Sequence, residues 1–556
     1  MKLNLENSIE WLYVFLFSIF LAYIGMAATM NYGLKHSFPY GFSASDAFGE
    51  IAYTEGIIDS GNHKFLPYYI RAGFTDNVPF HMPIFNHIAA LFSLASGLPV
   101  WDSLLFIGYL FSIVGVLVMY IIIREFNRNI ALISLPLSIF LYTGNFRIVY
   151  TWGSWDVVMA TALLLSSVWA LNKLELKFSC VLFAVLASGA ALTHITEAFF
   201  LFAFTAVFLV LKAIRKRLEL SEMKNLILAV ILALLFSFYY LIIFKVGYAA
   251  GGVDTKIAYQ APEWFDVIIS HFGLFRLVIF AGAIISLLLF LTKNYSTALL
   301  LGLFMLLIGY TNITPSFAPR ALQTRYFWPI YLSVFLGVLV YFTLKPLIKF
   351  CHLRSKALFE RNWKTAYSIF ISLILAVSIT YGYYQKSASS GIVTEYHWRS
   401  LLWIRDNTPK DAKILFFYGD PYTQEAVLWN QKRVSYRISM DDFVNAIKER
   451  KIKREYNVEV AAADDAGYLY RKSFFSFDYH VKDMNRSEFF GANDICKFNY
   501  FVFDKVSRQQ ALANYNLLVA DRLLKSGAAE PVFNNEIVLI LKNKSPRGNC
   551  IEEGSF

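Results

Sequence analysis

Apolar residues in this chain gather into runs of about fourteen to about twenty positions, nearly free of charge and separated by short polar turns. The runs lie near residues 11–30, 103–123, 130–143, 156–171, 178–192, 196–212, 225–244, 273–292, 296–311, 327–344 and 366–383. Roughly twenty apolar residues in a helix reach across the hydrocarbon of a bilayer. The pattern therefore predicts a polytopic α-helical membrane protein of about 11 transmembrane helices. The first run, "WLYVFLFSIFLAYIGMAATM", is long and has no convincing small-residue cleavage site after it, so it is read as a retained helix rather than a signal peptide.

The turns between runs alternate in charge. "REFNRN", "NKLELK", "KAIRKRLELSEMK", "TKN" and "KPLIKFCHLRSKALFERNWK" hold most of the inter-span Lys and Arg. Opposite them fall the acidic first loop (residues 31–100), "YTGNFRIVYTWGSW", "LTHITE", the loop from Lys245 to His271, and "TNITPSFAPRALQTRYFWP". By the positive-inside rule this predicts an integral cell-membrane protein with a cytoplasmic N-terminus and an extracytoplasmic C-terminus. The same alternation accounts for the net charge of +11 without a nucleic-acid partner, because the basic residues are dispersed among turns.

Beyond Tyr384 the composition changes. Residues 1–388 form the membrane domain, and 389–556 read as an extracytoplasmic soluble α/β domain. "EYHWRSLLWIRDNTPKDAKILFFYGDPYTQ" predicts an amphipathic helix, a Pro-containing turn and a strand; "NYFVFD" and "EIVLILK" predict strands; "QQALANYNLLVADRLLKSG" predicts a helix stopped by Gly. Of four cysteines, Cys496 and Cys550 share this domain, where a disulfide is open to them if it faces an oxidising exterior. Asn312, Asn485 and Asn543 head formal glycosylation sequons, a pattern common by chance.

Polar residues at helix ends on one side of the membrane are the candidates for chemistry. The first loop offers Asp46, Glu50, Glu55 and Asp59, the second Arg147 and Asp156, the third His194 and Glu197, and the last Arg320 and Arg325. Carboxylates act as general bases or metal ligands, and guanidinium groups match phosphate oxygens as a planar fork. Each has a plainer role beside the chemical one. Asp46 and Asp156 are placed to cap helices. Glu50 lies one turn beyond Asp46, while Glu55 and Asp59 are expected to face water. His194 and Glu197, spaced i and i+3, suit a local hydrogen bond or a metal. Arg325 is placed to snorkel toward lipid head groups, and His81 is expected to be structural.

"SDAFGEIAYTEGIIDSG", "HMPIFNHIAALFSLASGLP" and "WIRDNTPKDAKIL", in that order, resemble the GT-C superfamily of membrane glycosyltransferases, and the layout is most similar to the catalytic subunit of oligosaccharyltransferase. In that family a second acidic motif, Gly-Ser-aromatic-Asp, is similar to "WGSWD" ending at Asp156, and an Arg near the donor phosphates matches Arg325 in "QTRYFWPI". The acceptor-selecting Trp-Trp-Asp-Tyr-Gly motif is absent; the corresponding segment reads "FFYGDPY". The resemblance implies transfer of a sugar from a polyprenyl-phosphate-linked donor to a glycan, lipid or protein acceptor at the extracytoplasmic face. Asp46, Glu50 and Asp156 are then the catalytic carboxylates, Arg325, Arg320 and Arg147 the phosphate ligands, and His194 and Glu197 accessory residues. Whether a divalent cation, Mg2+ or Mn2+, sits at Asp46 and Asp156 stays open, since some relatives use one and others do not. The alternatives are oligosaccharyltransferase-like transfer of a whole glycan to protein, a transporter or flippase, and a non-catalytic membrane scaffold.

Overall fold

A computed structural model describes residues 5–30, 36–62, 66–70, 82–176, 178–250, 257–259, 269–292, 296–311, 313–315, 321–354, 363–385, 391–460, 467–471, 479–483, 494–546 and 548–556. Arg320, His81, Asn312 and Asn485 lie outside them. Every apolar run folds as helix. Among the described residues six helices are long and apolar enough to cross a membrane by length and composition: Ser8–Ala28, Val100–Phe126, Ile195–Ile214, Leu220–Ile242, Trp328–Pro346 and Lys364–Tyr383. The others are shorter, and one of them is covered by protein along its whole length. From Ile130 to Thr143 every side chain is buried, and Pro136, lacking an N–H, falls where the Arg128–Ser134 helix gives way to the tighter 3-10 turns of Leu135–Tyr142. A helix enclosed by its neighbours need not match the bilayer thickness.

The two ends of the bundle are chemically distinct. At one end Glu10, fully buried, meets Arg124 at 2.5 Å and Arg128 at 2.6 Å. There too Lys173 pairs with Glu125 at 3.1 Å, Lys212 with Glu222, and Arg215 donates to the carbonyl of Phe290. Apart from Glu10, just before the first run, and Phe290, near the end of the 273–292 run, these residues come from turns assigned to the cytoplasmic side. At the other end, Ile257–Tyr259 pairs antiparallel with Ile313–Pro315, the Ser43 N–H donates to the Thr151 carbonyl, and Arg147 donates to the carbonyl of Gln385. The turns thus segregate into the two groups that the charge alternation predicts.

The C-terminal region, read above as the soluble one, centres on a six-stranded mixed sheet in the order Ala529–Asn534, Val538–Asn543, Tyr500–Asp504, Ile414–Phe416, Ser435–Ile438, Val458–Val460. Ile414–Phe416 runs parallel to both of its neighbours and the remaining pairings are antiparallel. All five residues of Tyr500–Asp504 are buried, as a central strand covered on both faces requires. Thr394 caps the Glu395–Asn407 helix, and His397 on its first turn fixes it to the sheet through Asp504 at 3.0 Å. Asn543 is buried in a strand and donates to the carbonyls of Cys496 and Phe498, so its sequon offers no acceptor amide at the surface.

Cys496 and Cys550 are bonded, their Cα atoms 5.3 Å apart, closing a loop of 54 residues. Cutting the bond, by reductant or by Cys550→Ser, is expected to destabilise the soluble region by about 2–5 kcal/mol. A lowered melting temperature in differential scanning fluorimetry of the full chain is the expected result; an unchanged one after verified reduction would mean the bond contributes nothing.

Candidate active site

Two segments from different loops meet under the C-terminal region. The Ser45–Ser60 helix of the first loop carries Asp46, exposed, in its first turn. The Trp155–Leu171 helix carries Asp156, half-buried, in its first turn, where its Oδ1 accepts from the Val157 N–H at 2.8 Å. Gly153, between the aromatics of "WGSWD", brings the two together. Its φ is +92°, and a methyl group built on it would lie 2.4 Å from both the Cα and the N of Ala47. Only a residue without Cβ lets the start of the first-loop helix rest on this turn. Ser43 adds two bonds to Thr151, from its N–H at 2.8 Å and its hydroxyl at 3.0 Å. Trp155, buried below, donates from its indole to the Tyr150 carbonyl at 3.0 Å and packs against Phe42. Asp46 and Asp156 thus stand on two adjoining helix starts, where the unpaired N–H groups favour negative charge.

The other candidates distribute themselves unevenly. Glu50 does not accompany Asp46 to the surface: it is 5% exposed and accepts from the Asn86 side chain at 2.6 Å, which ties its helix to Ile84–Ser96. Glu55 and Asp59, expected to face water, flank Lys432 of the soluble region at 2.9 and 2.7 Å. The long side chains of the helix reach the domain above it, an event no local pattern announces. His194 hydrogen-bonds Glu197 within one turn, and Glu197 is buried. Arg147 lies in the turn Gly144–Arg147, beside which the Ala321–Tyr326 helix packs. On that helix Arg325 is fully buried, its Nε donating to the Gly309 carbonyl at 2.7 Å, so it is enclosed by protein rather than reaching for lipid head groups. Among the described residues no group of three or more His, Cys, Asp or Glu is placed to hold a metal ion.

Two residues escaped the sequence criteria. Asp102, in the first turn of Val100–Phe126, is 4% exposed, and its Oδ1 has no hydrogen-bond partner among the described residues. A carboxylate at the edge of an apolar run was the available signal. Lys432 was legible only as one more surface lysine.

The soluble region roofs the site. Its short Glu425–Trp429 helix lies on the Ser45–Ser60 helix: a methyl on Gly49 would touch Ala426 and Trp429 at 3.7 Å, and Trp429 meets Tyr53 edge to face at 6.0 Å. Asn430 donates to the Phe48 carbonyl at 3.3 Å, and Trp398 packs against both Phe48 and Trp101.

No protein-family model and no curated protein sequence matches the chain. Solved structures do. The archaeal oligosaccharyltransferase AglB from Archaeoglobus fulgidus, in complex with an inhibitory peptide and a dolichol-phosphate, superposes with a TM-score of 0.55 at 11% identity, over 97% of this chain and 89% of that one. ArnT from Cupriavidus metallidurans, bound to undecaprenyl phosphate, superposes with a TM-score of 0.53 at 10% identity, over 97% of this chain and 98% of that one. Identity this low speaks for the backbone alone. Both neighbours are GT-C members, and the chain shares their fold over nearly its whole length.

Proposed function

We propose that the protein is a GT-C-type glycosyltransferase that moves a sugar from a polyprenyl-phosphate-linked donor to an acceptor at the extracytoplasmic face. The observation that carries this is the apposition of Asp46 and Asp156 on two adjoining helix starts beneath the soluble region. Structural neighbours that bind dolichol-phosphate and undecaprenyl phosphate support a lipid-phosphate donor. Asp46, exposed, takes the acceptor's proton as the new glycosidic bond forms and the lipid phosphate departs with the old bond's electrons. Asp156 shares the site, and Glu50, buried against Asn86, holds the helix that presents Asp46. Arg325, with Arg147 on the adjoining turn and Arg320, is assigned to the donor phosphates. His194 and Glu197 fix the start of their own helix.

Two carboxylates supply hard oxygen donors, which fit Mg2+ or Mn2+ in the mode where substrate phosphate completes the coordination. Such an ion, when bound, would neutralise charge on the departing phosphate. Transfer by the purified protein from a radiolabelled polyprenyl-phosphate sugar, with and without EDTA, tests the proposal. Product without EDTA is expected; loss of product in EDTA assigns Asp46 and Asp156 to a metal, and its persistence assigns Asp46 to base catalysis. No product from any polyprenyl-phosphate sugar would refute the proposed activity. Transfer of a whole glycan to protein is disfavoured because "FFYGDPY" stands where the acceptor-selecting motif would be.

The disulfide supports an oxidising, extracytoplasmic setting for the soluble region. Arg508, whose side chain is 92% exposed, marks its surface. Arg508→Cys should react with a membrane-impermeant maleimide on intact cells; labelling only after permeabilisation would invert the topology.

A further inference from the structure

The soluble region contains a cavity of about 310 Å3 that none of the proposed catalytic residues lines. It opens at the carboxyl ends of the adjacent parallel strands Ile414–Phe416 and Ser435–Ile438, the edge of an α/β sheet at which ligands generally bind. Its volume falls at the low end of small-molecule sites, roughly 300–1,000 Å3.

The walls have a particular chemistry. Phe416, Tyr418 and Tyr422 supply ring surface, while Glu459, Asp441 and Ser439 supply oxygen acceptors. Arg437 crosses the cavity but is already engaged: it reaches Glu459 at 3.1 Å, Glu425 at 3.0 Å and the Thr423 carbonyl at 2.7 Å. With that guanidinium committed, the three carboxylates around it, Glu459, Glu425 and Asp441, outweigh its charge and repel a phosphate or another acid. A wholly apolar ligand would strip water from the carboxylates without offering them a donor. What matches is a molecule with several hydroxyl donors around a flat carbon face, able to donate to spaced carboxylates and lie against aromatic rings.

The position is as informative as the lining. Tyr422 and Thr423, in the cavity wall, run directly into the Glu425–Trp429 helix, which rests on the helix that carries Asp46 at its start. A ligand held here adjoins the element that rests on the helix carrying Asp46.

We propose that this cavity binds a saccharide and thereby positions a glycan acceptor for transfer; the acceptor role rests on the glycosyltransferase assignment above. The carboxylates of Asp441 and Glu459 accept from ring hydroxyls, and the aromatic wall covers the sugar's C–H face. The acceptor is therefore carbohydrate rather than a peptide or a bare lipid.

Saturation-transfer NMR on the full-length protein in detergent, against a panel of methyl hexopyranosides and the corresponding disaccharides, tests the proposal. Saturation of at least one saccharide is expected. Asp441→Asn and Glu459→Gln should each weaken it about tenfold, the equivalent of about 1.4 kcal/mol. Asp441 is exposed and outside the arginine network, so its variant reports on binding even if Glu459→Gln disturbs folding. Asp46→Asn should bind the saccharide as the parent does. The proposal is overturned if no saccharide is saturated, if a simple alkylamine is bound in place of every saccharide, or if Asp441→Asn binds unchanged. Saccharide binding without transfer by the parent protein would uphold the cavity and sink the transferase assignment. Transfer whose acceptor KM is indifferent to Asp441→Asn would do the reverse.

Discussion

Asp46→Asn should lower sugar transfer by about a hundredfold to ten-thousandfold, the usual scale for a lost general base, while the protein still inserts and folds. The structure sharpens this expectation because it separates catalysis from capping. The cap residue of the Ser45–Ser60 helix is Ala44, and no side chain caps it. Asn at position 46 therefore leaves the cap untouched and weakens the interaction of a carboxylate with the helix start, an effect of about 0.3–1 kcal/mol. Asp156→Asn should also impair transfer, and the double variant should lose less than the product of the two single effects if both carboxylates serve one transition state. Near-normal transfer by well-expressed Asp46→Asn would remove it from the chemistry altogether.

Gly153→Ala should be as damaging to transfer by a different route. The left-handed backbone at φ +92° costs a Cβ-bearing residue about 1–2 kcal/mol. The added methyl would also press on the Ala47 backbone, which cannot move aside as a flexible side chain would, and overpacking of this kind typically costs about 1–3 kcal/mol. A combined loss of about 2–5 kcal/mol is expected, with the Asp46 and Asp156 helix starts forced apart. Gly97→Ala is the control: its φ is +72°, yet nothing lies within 4 Å of the added methyl, so only the backbone cost applies. Thermal unfolding and transfer measured on both variants decide the matter. If Gly153→Ala matched Gly97→Ala in both, the close approach of the two acidic turns would not be what organises the site.

The positions of the apolar runs, the sorting of turns into two chemical sides and several strands and helices of the soluble region could be read from the sequence alone. These follow from local, periodic properties: a run of apolar residues makes a helix wherever it is placed, and "NYFVFD" or "EIVLILK" is a strand in almost any sheet. Asp46 and Asp156 were legible as candidates because ionisable groups beside apolar runs are costly and hence few. How many helices cross the bilayer at full length was not legible, since a short run enclosed by other helices, as at Ile130–Thr143, carries the same hydropathy as one facing lipid. Only the tertiary structure turned Glu50 inward to Asn86, drew Glu55 and Asp59 to Lys432, buried Arg325, and set Gly153 against Ala47. Each of those outcomes depends on a partner outside the local pattern, from 16 residues away for Arg325 to 377 for Glu55 by their numbers, and no periodicity encodes such a pairing. The cavity between Tyr418, Arg437 and Glu459 has the same origin: three strands that share no local pattern meet at their ends only after the sheet has formed.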